Sequence, residues 1–483
     1  MDTIARAPSA ARLTWPLGII FGLIALVGLL WMNFAGSNRL VPFEALAACA
    51  LLLAIMRLFG RGDPVARAGA FARVSPLAIV ALGLLLRIGF AAVYAPTPSS
   101  DAAAYMHLAD ALAAGREYVQ PQGRAYWPPG LPLAFAPFRL VLGGAATIVF
   151  NLVLFALTAV TAFALARRVA GRSAAGLTLL LLALWPNYVL SVVLLEKEAL
   201  VVLLWAAALL FYLRAGDRSG SGGLMQAALA GAALGYAGLV QPAGLLMPGL
   251  FALFTLSTER LRARPLLRVL VMGVCAVLTV LPWTARNYVV LHHFVPVSTA
   301  GGVNFYMVSL PDSDGRWNKT GDHTGLALDK DEVARDALGF HLGWRNIAAH
   351  TAHYLGTVVR KPFYIYGSDN KIAYWIFVRG DIDAPLALQI CTALSNVFYA
   401  AIVLLTCIGL LGWRRRARRE PALLLLVATL FYPIFSNSLF EAVERHRYGV
   451  LTVMAIFAAM GIERLRARGH TGAPDERSTS LAA

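Results

Sequence analysis

The sequence is poor in charged residues, and in acidic residues and cysteine above all. Charged side chains make up 14% of the 483 residues and hydrophobic ones 59%, with a mean hydropathy of +0.66. Soluble domains contain about 25% charged residues, so the composition excludes an ordinary soluble enzyme. The four cysteines stand singly inside apolar runs, and their spacing therefore predicts neither a disulfide framework nor a zinc site.

Apolar runs of about 20 residues, the length that crosses a hydrocarbon core, recur along most of the chain. We predict an all-α integral membrane protein with about twelve transmembrane helices. The first run is too long for the core of a cleaved signal peptide and is predicted to be a retained anchor. The predicted spans lie near residues 15–35, 41–59, 75–95, 144–167, 174–194, 198–213, 223–240, 243–257, 266–284, 387–412, 421–438 and 448–463.

Basic residues outnumber acidic ones by 42 to 26, which gives a net charge of +16. In a soluble protein this excess would suggest a nucleic-acid partner, but here the arginines fall on alternate connections between the spans. The positive-inside rule places these connections and both termini in the cytoplasm. The basic charge is therefore a topology signal, and we predict no nucleic-acid partner. The polar tail, residues 467–483, is predicted to be disordered and cytoplasmic.

The other face should be poor in charge, yet acids and bases gather there, in and around external loops at residues 96–130 and 286–386. In the first loop, Asp101 lies in the first turn of a predicted amphipathic helix, with Tyr105 one turn later. A first-turn acid also occurs simply because the helix dipole favours it. The aromatic pair Tyr126 and Trp127 is typical of a membrane-interface belt, and aromatic faces also suit sugar rings.

Further external candidates are the cluster Glu196, Lys197 and Glu198, then Arg286, and then the run from Arg445 to Arg447. Cations would bind a phosphate, and one of the carboxylates would orient an acceptor or help to hold a divalent cation. The alternative is a set of solvated or lipid-facing charges at helix ends. In the second loop we predict helices over residues 331–342 and 344–361, and its scattered histidines define no ligand geometry.

The ordered set of these segments resembles the GT-C superfamily of membrane glycosyltransferases, and within it proteins similar to glycosyltransferase family 39, such as protein mannosyltransferases and aminoarabinose transferases. The resemblance covers residues from about 75 to 465. It rests on Arg87 and on the segments SSDAAAYMHLADALAAG, YWPPGLPL, LWPNYVLSVVLLEKEAL, LVQPAGLL, LPWTARNYVVLHHFVPVSTAGGVNFY and RHRYGVLTVMAIFAAMGIERL. Residues 73–466 are then predicted to form the GT-C core, and residues 1–72 to add two transmembrane helices to it.

The resemblance implies an inverting transfer of a sugar from a polyprenyl-phosphate donor, with undecaprenyl phosphate as the expected lipid, on the external face of a bacterial inner membrane. The acceptor would be a lipid, a glycan or a protein. It implies no required cofactor, although it allows a divalent cation. Asp101 matches the family's catalytic acid and would act as general base, with Glu198 as a second family acid. Implied donor-phosphate ligands are Lys197, Arg286, Arg445, His446 and Arg447; implied sugar or acceptor ligands are Tyr105, Trp127, Glu196, Gln241 and Asn304.

One position departs from the family pattern, because Gln241 stands where many members have an arginine. If that arginine binds phosphate, other cations must do so here. The alternative hypothesis is a multispan transporter or flippase of a lipid-linked sugar. A transporter should carry its charges at the bilayer midplane or in paired repeats, whereas here the predicted charges cluster at external span ends. A noncatalytic scaffold would leave the Asp101 loop unexplained.

Overall fold

The computed structural model describes residues 16–17, 19–28, 75–259, 262–316, 326, 331–412 and 421–468. Within these ranges the chain is helical, and the only strand-like pairing there is an isolated bridge between Gln120 and Gly123. The predicted span near residues 41–59 and the tail from residue 469 lie outside the described residues.

The helices are numbered here in chain order. They are α1 (Ile19–Gly28), α2 (Pro76–Val93), α3 (Ser100–Ala113), α4 (Gly130–Leu142), α5 (Ala146–Ala170), α6 (Arg172–Leu184), α7 (Pro186–Leu190), α8 (Lys197–Asp217), α9 (Gly220–Val240), α10 (Met247–Thr258), α11 (Ala263–Leu291), α12 (Gly301–Ser309), α13 (Glu332–Ala349), α14 (Thr351–Tyr366), α15 (Lys371–Tyr374), α16 (Pro385–Gly412), α17 (Ala422–Ser436) and α18 (Leu451–Arg468). A π-helical turn, Trp375–Arg379, follows α15, and a 3-10 turn, Glu444–Val450, precedes α18.

Seven helical segments in the described ranges are long and apolar enough to cross a membrane. An eighth arises if α6 and residues Pro186–Val193, which meet at a bend of 59°, form one broken span. Three other predicted spans correspond to the shorter apolar helices Ile19–Gly28, Pro242–Thr258 and Ala422–Ser436. The prediction of an all-α membrane protein is confirmed, whereas the number of twelve transmembrane helices is not.

Helix α1, the described part of the predicted N-terminal addition, packs into the helical core. Phe21 and Ala25 are fully buried. The ring of Phe21 meets Tyr366 edge-on at 5.2 Å between centroids and Phe431 at 6.2 Å. This helix therefore contributes to the same core as the later helices, and the boundary at residue 72 stays a prediction.

Two buried polar side chains hold the broken span in place. The guanidinium of Arg87 lies 3.6 Å from the ring centroid of Phe155 and donates hydrogen bonds to the carbonyls of Gly83 and Ala183. The amide of Asn151 donates to the carbonyls of Val192 and Leu194, each at 2.9 Å. Because unwound backbone inside a membrane needs such donors, these contacts fix the chain just before Glu196.

The external loops fold as short helices, as expected. Helix α3 carries Asp101 in its first turn and buries Tyr105 and Leu108. Helix α13 begins where predicted, with the carboxylate of Asp331 accepting hydrogen bonds from the N–H groups of Val333 and Ala334. The break between α13 and α14 lies at His350 rather than at residue 343. The helix continues through Gly343, whose missing side chain leaves room for the ring of Phe305.

Helices α16 and α18 cross in contact at two glycines. A Cβ atom at Gly461 would collide with the carbonyl oxygen of Leu405, and one at Gly409 with that of Phe457. Small residues let membrane helices approach this closely.

We expect Gly461→Val to destabilise the protein by about 1–3 kcal/mol, the usual range for overpacking, because the added side chain forces α16 and α18 apart. The matched control is Gly273→Val in α11, where a Cβ atom meets nothing within 4 Å. Thermal unfolding in detergent measures both. Equal unfolding temperatures for the two variants would contradict the close helix contact.

Candidate active site

A cavity of about 1390 Å³ lies among the ends of the helices on the side predicted to be external. Pockets for small molecules usually measure about 300–1,000 Å³, so this one has room for more than one substrate. Its walls come from α3, the loop after it, α12, α15 and the 3-10 turn before α18. The polar segments that membrane topology does not explain therefore meet at this cavity.

Eight of the twelve predicted site residues line this cavity, and four do not. Those that line it are Asp101, Tyr105, Trp127, Lys197, Gln241, Asn304, Arg445 and His446. Glu196 and Glu198 are buried behind its wall, Arg286 lies beside it, and Arg447 is wholly buried.

Asp101 is held by an ion pair with Arg445. An Nη1 atom of Arg445 donates to Oδ2 of Asp101 at 2.8 Å, and the two side chains are 14% and 18% exposed. Burial raises the pKa of Asp101, but the positive charges of Arg445 and Lys197 and the hydrogen bonds from Arg445 and Ser100 lower it, and the pKa ends below its usual value. Asp101 is thus ionised at neutral pH.

Glu196 and Glu198 lie behind Arg445 and have unusual surroundings. Both residues are buried, and none of their four carboxylate oxygens has a hydrogen-bond partner in the described chain. The nearest cationic atom to Glu198 is Nε of Arg445, 4.0 Å from its Oε1. Burial raises the pKa of Glu196 well above its usual value, and the charges of Glu198 and Asp101 raise it further.

Arg447 faces away from the cavity into a buried network. It forms an ion pair with Asp369, donates to the carbonyl of Ile365 at 2.7 Å, and lies 4.0 Å from the ring centroid of Tyr399. The same Asp369 accepts hydrogen bonds from Trp185 at 2.7 Å and from the Asn187 amide at 3.1 Å. Arg447 is therefore part of a buried polar network, whereas Arg445, two residues earlier, lines the cavity.

Arg286 joins the first external loop to α11. It donates to the carbonyls of Arg124 at 2.7 Å and Tyr118 at 3.1 Å. Its guanidinium lies 4.7 Å from the ring centroid of Trp283. Through these contacts the guanidinium of Arg286 holds the loop that carries Tyr126 and Trp127.

Cations that the sequence analysis missed also line the cavity. The residues Lys371, Trp375 and Arg379 fall at i, i+4 and i+8 along α15 and the π-helical turn, so they share one face. Arg445 lies over the ring of Trp375, 5.1 Å from its centroid. Arg316 also lines the cavity and is paired with Asp314 at 2.6 Å. The i, i+4, i+8 spacing before an apolar span is the signal that would have identified Lys371, Trp375 and Arg379.

Aromatic rings form one wall of the cavity. Tyr105 meets Trp127 edge-on at 5.4 Å between centroids, and Trp127 meets Tyr126 at 5.5 Å. The indole Nε1 of Trp127 is buried without an acceptor in the described chain. A bound molecule with a hydroxyl group would supply that acceptor, because buried polar groups are normally hydrogen-bonded.

A buried carboxylate connects this wall to the second external loop. Glu332, at the start of α13, accepts hydrogen bonds from the backbone N–H groups of Arg124 (2.6 Å) and Ala125 (2.9 Å), and from the hydroxyl of Thr299 (2.8 Å). The glycine before Arg124, Gly123, has a φ of +144°, and a side chain there would collide with the carboxylate. The position of Tyr126 and Trp127 thus depends on a residue some 200 positions away.

The cavity does not fit a divalent cation through its side chains. No group of three or more His, Cys, Asp or Glu side chains in the described ranges is arranged to hold a metal ion. The carboxylate of Asp101 is already paired with a cation, and those of Glu196 and Glu198 lie behind the wall. No step of the chemistry below is therefore assigned to a metal.

One family model matches about a third of the chain. Residues 128–283 match the family model described as dolichyl-phosphate-mannose-protein mannosyltransferase. No curated protein sequence matches the chain.

Solved structures give the fold. The oligosaccharyltransferase of Archaeoglobus fulgidus in complex with zinc and sulfate has a TM-score of 0.51 at 15% identity, covering 81% of this chain and 50% of that chain. Its apo form has a TM-score of 0.52 at 13% identity, covering 83% and 51%. ArnT from Cupriavidus metallidurans bound to undecaprenyl phosphate has a TM-score of only 0.41 at 15% identity, covering 80% and 77%. The chain thus spans about half the length of the oligosaccharyltransferase, and the fold assignment rests on that enzyme.

We expect Glu332→Gln to destabilise the protein by about 1–3 kcal/mol, because an amide has one oxygen for three donors and leaves a buried group unpaired. The control is Glu117→Gln in the same loop, whose ion pair with Arg124 is half-exposed and is expected to contribute less than about 1 kcal/mol. Thermal unfolding of the purified full-length protein measures both. A larger loss for the control would refute the assigned role of Glu332.

Proposed function

We propose that this chain, which has the fold of the GT-C superfamily of membrane glycosyltransferases, transfers a sugar from a polyprenyl-phosphate donor to an acceptor hydroxyl. The donor class is supported by the description of the matching family model, which names a dolichyl-phosphate mannose. We further propose undecaprenyl phosphate as the lipid, a lipid, glycan or protein as acceptor, and the external face of a bacterial inner membrane as the site of reaction.

The observation that carries this proposal is a carboxylate and several cations on the walls of one large cavity. Asp101, Lys197 and Arg445 line it together, and an aromatic wall stands beside them. A carboxylate can take a proton from an attacking hydroxyl, whereas cations stabilise the charge that grows on a departing phosphate. This combination is what transfer from a sugar phosphate requires.

In the proposed reaction, Asp101 accepts the proton of the acceptor hydroxyl as the oxygen attacks the anomeric carbon. The bond between that carbon and the phosphate oxygen breaks on the opposite side, so the configuration inverts. The electron pair leaves with the polyprenyl phosphate. Arg445 and Lys197 would face its charge, with Lys371 and Arg379 at the part of the cavity near the start of span α16.

The same arrangement supports a transferase over a transporter. Transporters of this size bind their substrates near the bilayer midplane, often where helices of two repeats are interrupted. Here the charged side chains of the cavity gather in connecting segments such as α3 and α15 and at the ends of spans, as at Lys197 and Arg445.

We expect Asp101→Asn to lower kcat by about 10²–10⁴-fold, the contribution of a general base, while binding of undecaprenyl phosphate survives. The matched control is Asp110→Asn on the same helix, because Asp110 pairs with Arg139 at 2.5 Å and does not line the cavity. The assay follows sugar transfer by purified protein in detergent. Turnover at the wild-type rate by the Asp101 variant would exclude it as the base.

We expect Lys197→Ala and Arg379→Ala each to weaken binding of undecaprenyl phosphate about 10- to 100-fold, because a hydrogen bond to a charged group contributes about 1.5–3 kcal/mol. The control is Arg360→Ala, an exposed residue of α14 outside the cavity. Titration calorimetry measures all three. An affinity unchanged in both cavity variants would place the phosphate elsewhere.

A further inference from the structure

Arg445 stands between two carboxylates and fully satisfies only one of them. It donates to Asp101 at 2.8 Å, whereas its Nε lies 4.0 Å from Glu198, beyond hydrogen-bond distance. Its guanidinium lies over the face of Trp375, a flat surface along which the group can shift without losing contact. Asp101, Trp375 and Arg445 all border the cavity.

The present pairing is unfavourable for a base. The ion pair with Arg445 is one of the interactions that hold the pKa of Asp101 below its usual value, and a carboxylate that holds a cation accepts a proton poorly. For Asp101 to accept the proton of a hydroxyl, Arg445 has to withdraw. The pair is therefore a resting arrangement.

Glu198 is the place toward which Arg445 can withdraw. It is 3% exposed, and neither of its oxygens has a hydrogen-bond partner in the described chain. A buried carboxylate without partners is costly, so a new hydrogen bond there is favourable. Reaching the usual 2.7–2.9 Å of such a contact from 4.0 Å requires a movement of only about 1 Å.

We propose that Arg445 changes partner when the lipid phosphate enters the cavity. Arg445 then releases Asp101 and binds the phosphate on one side and Glu198 on the other, so that Glu198 holds the arginine from the buried side. This inference rests on the proposed function. Asp101 is a strong base only while the donor is bound, so the donor binds before the acceptor reacts. Glu198 is then a positioning residue, since it acts through Arg445.

Proton linkage makes the exchange measurable. Once Arg445 leaves, the pKa of Asp101 rises, so binding of undecaprenyl phosphate takes up protons, and the affinity increases as the pH falls through the interval between the two pKa values of Asp101. Charged and titratable groups that act on Asp101 from its own and neighbouring elements are Tyr105, Tyr126, Glu196, Lys197 and Arg445. Glu198 and Glu441 act on Arg445 itself.

The experiment is titration calorimetry of the full-length protein with undecaprenyl phosphate at pH 5, in two buffers of different ionisation enthalpy. The lipid's own titration is common to all variants. Wild type is expected to take up more protons than Asp101→Asn, by at most one per molecule because one carboxylate titrates. Glu198→Gln is expected to fall between the two, and Glu198→Asp, which keeps the charge but shortens the side chain, closer to wild type.

Glu196→Gln is the matched control for proton uptake. Its carboxyl group is equally buried, but burial and the neighbouring acids already raise its pKa well above its usual value, so an amide resembles its protonated form. Wild-type uptake is expected for this variant. Equal uptake by wild type and Asp101→Asn, or loss of uptake in Glu196→Gln alone, would overturn the partner exchange while leaving the proposed function intact. Failure of undecaprenyl phosphate to bind wild type would overturn both.

Discussion

The buried ion pair between Asp369 and Arg447 is the contact on which the candidate site depends. Both side chains are completely buried, and removing one partner from such a pair typically costs about 3–5 kcal/mol because the other charge is left alone. Asp369 also accepts hydrogen bonds from Trp185 and Asn187, at the bend of the broken span. One carboxylate thus ties together the broken span, the external loop before α15 and the turn before α18.

The ion pair between Asp369 and Arg447 also determines where the side chain of Arg445 points. In the 3-10 turn Glu444–Val450, residues two apart point in different directions, so fixing Arg447 inward turns Arg445 toward the cavity. The bend of the broken span has a parallel effect, because Asn151 holds the carbonyls that precede Glu196. Glu196 and Arg445 are therefore positioned by separate networks behind the wall of the cavity.

Much of this arrangement can be predicted from the sequence, for local reasons. The proline- and serine-rich start of α3 places Asp101 in a first turn, and the arginine distribution predicts which loops lie outside the cytoplasm. The run from Arg445 to Arg447 is different, since sequence shows two equivalent arginines and only the partner Asp369, 78 positions away, distinguishes them. The role of Glu332 likewise cannot be predicted from the sequence, because two of its three donors lie about 200 positions earlier in a loop without regular structure.

The neutral side chain of Gln241, at a position where the resemblance leads us to expect an arginine, is related to the presence of Lys371 and Arg379 in the cavity. Gln241 lines the cavity, so the site has a neutral amide where many similar proteins carry an arginine. An amide can hydrogen-bond a phosphate oxygen but cannot balance its charge. The face formed by Lys371, Trp375 and Arg379 brings two further positive charges to the same cavity. Because Trp375 also underlies Arg445, this face both attracts an anion and adjoins the arginine that must move, which places charge recognition and activation of Asp101 on neighbouring side chains.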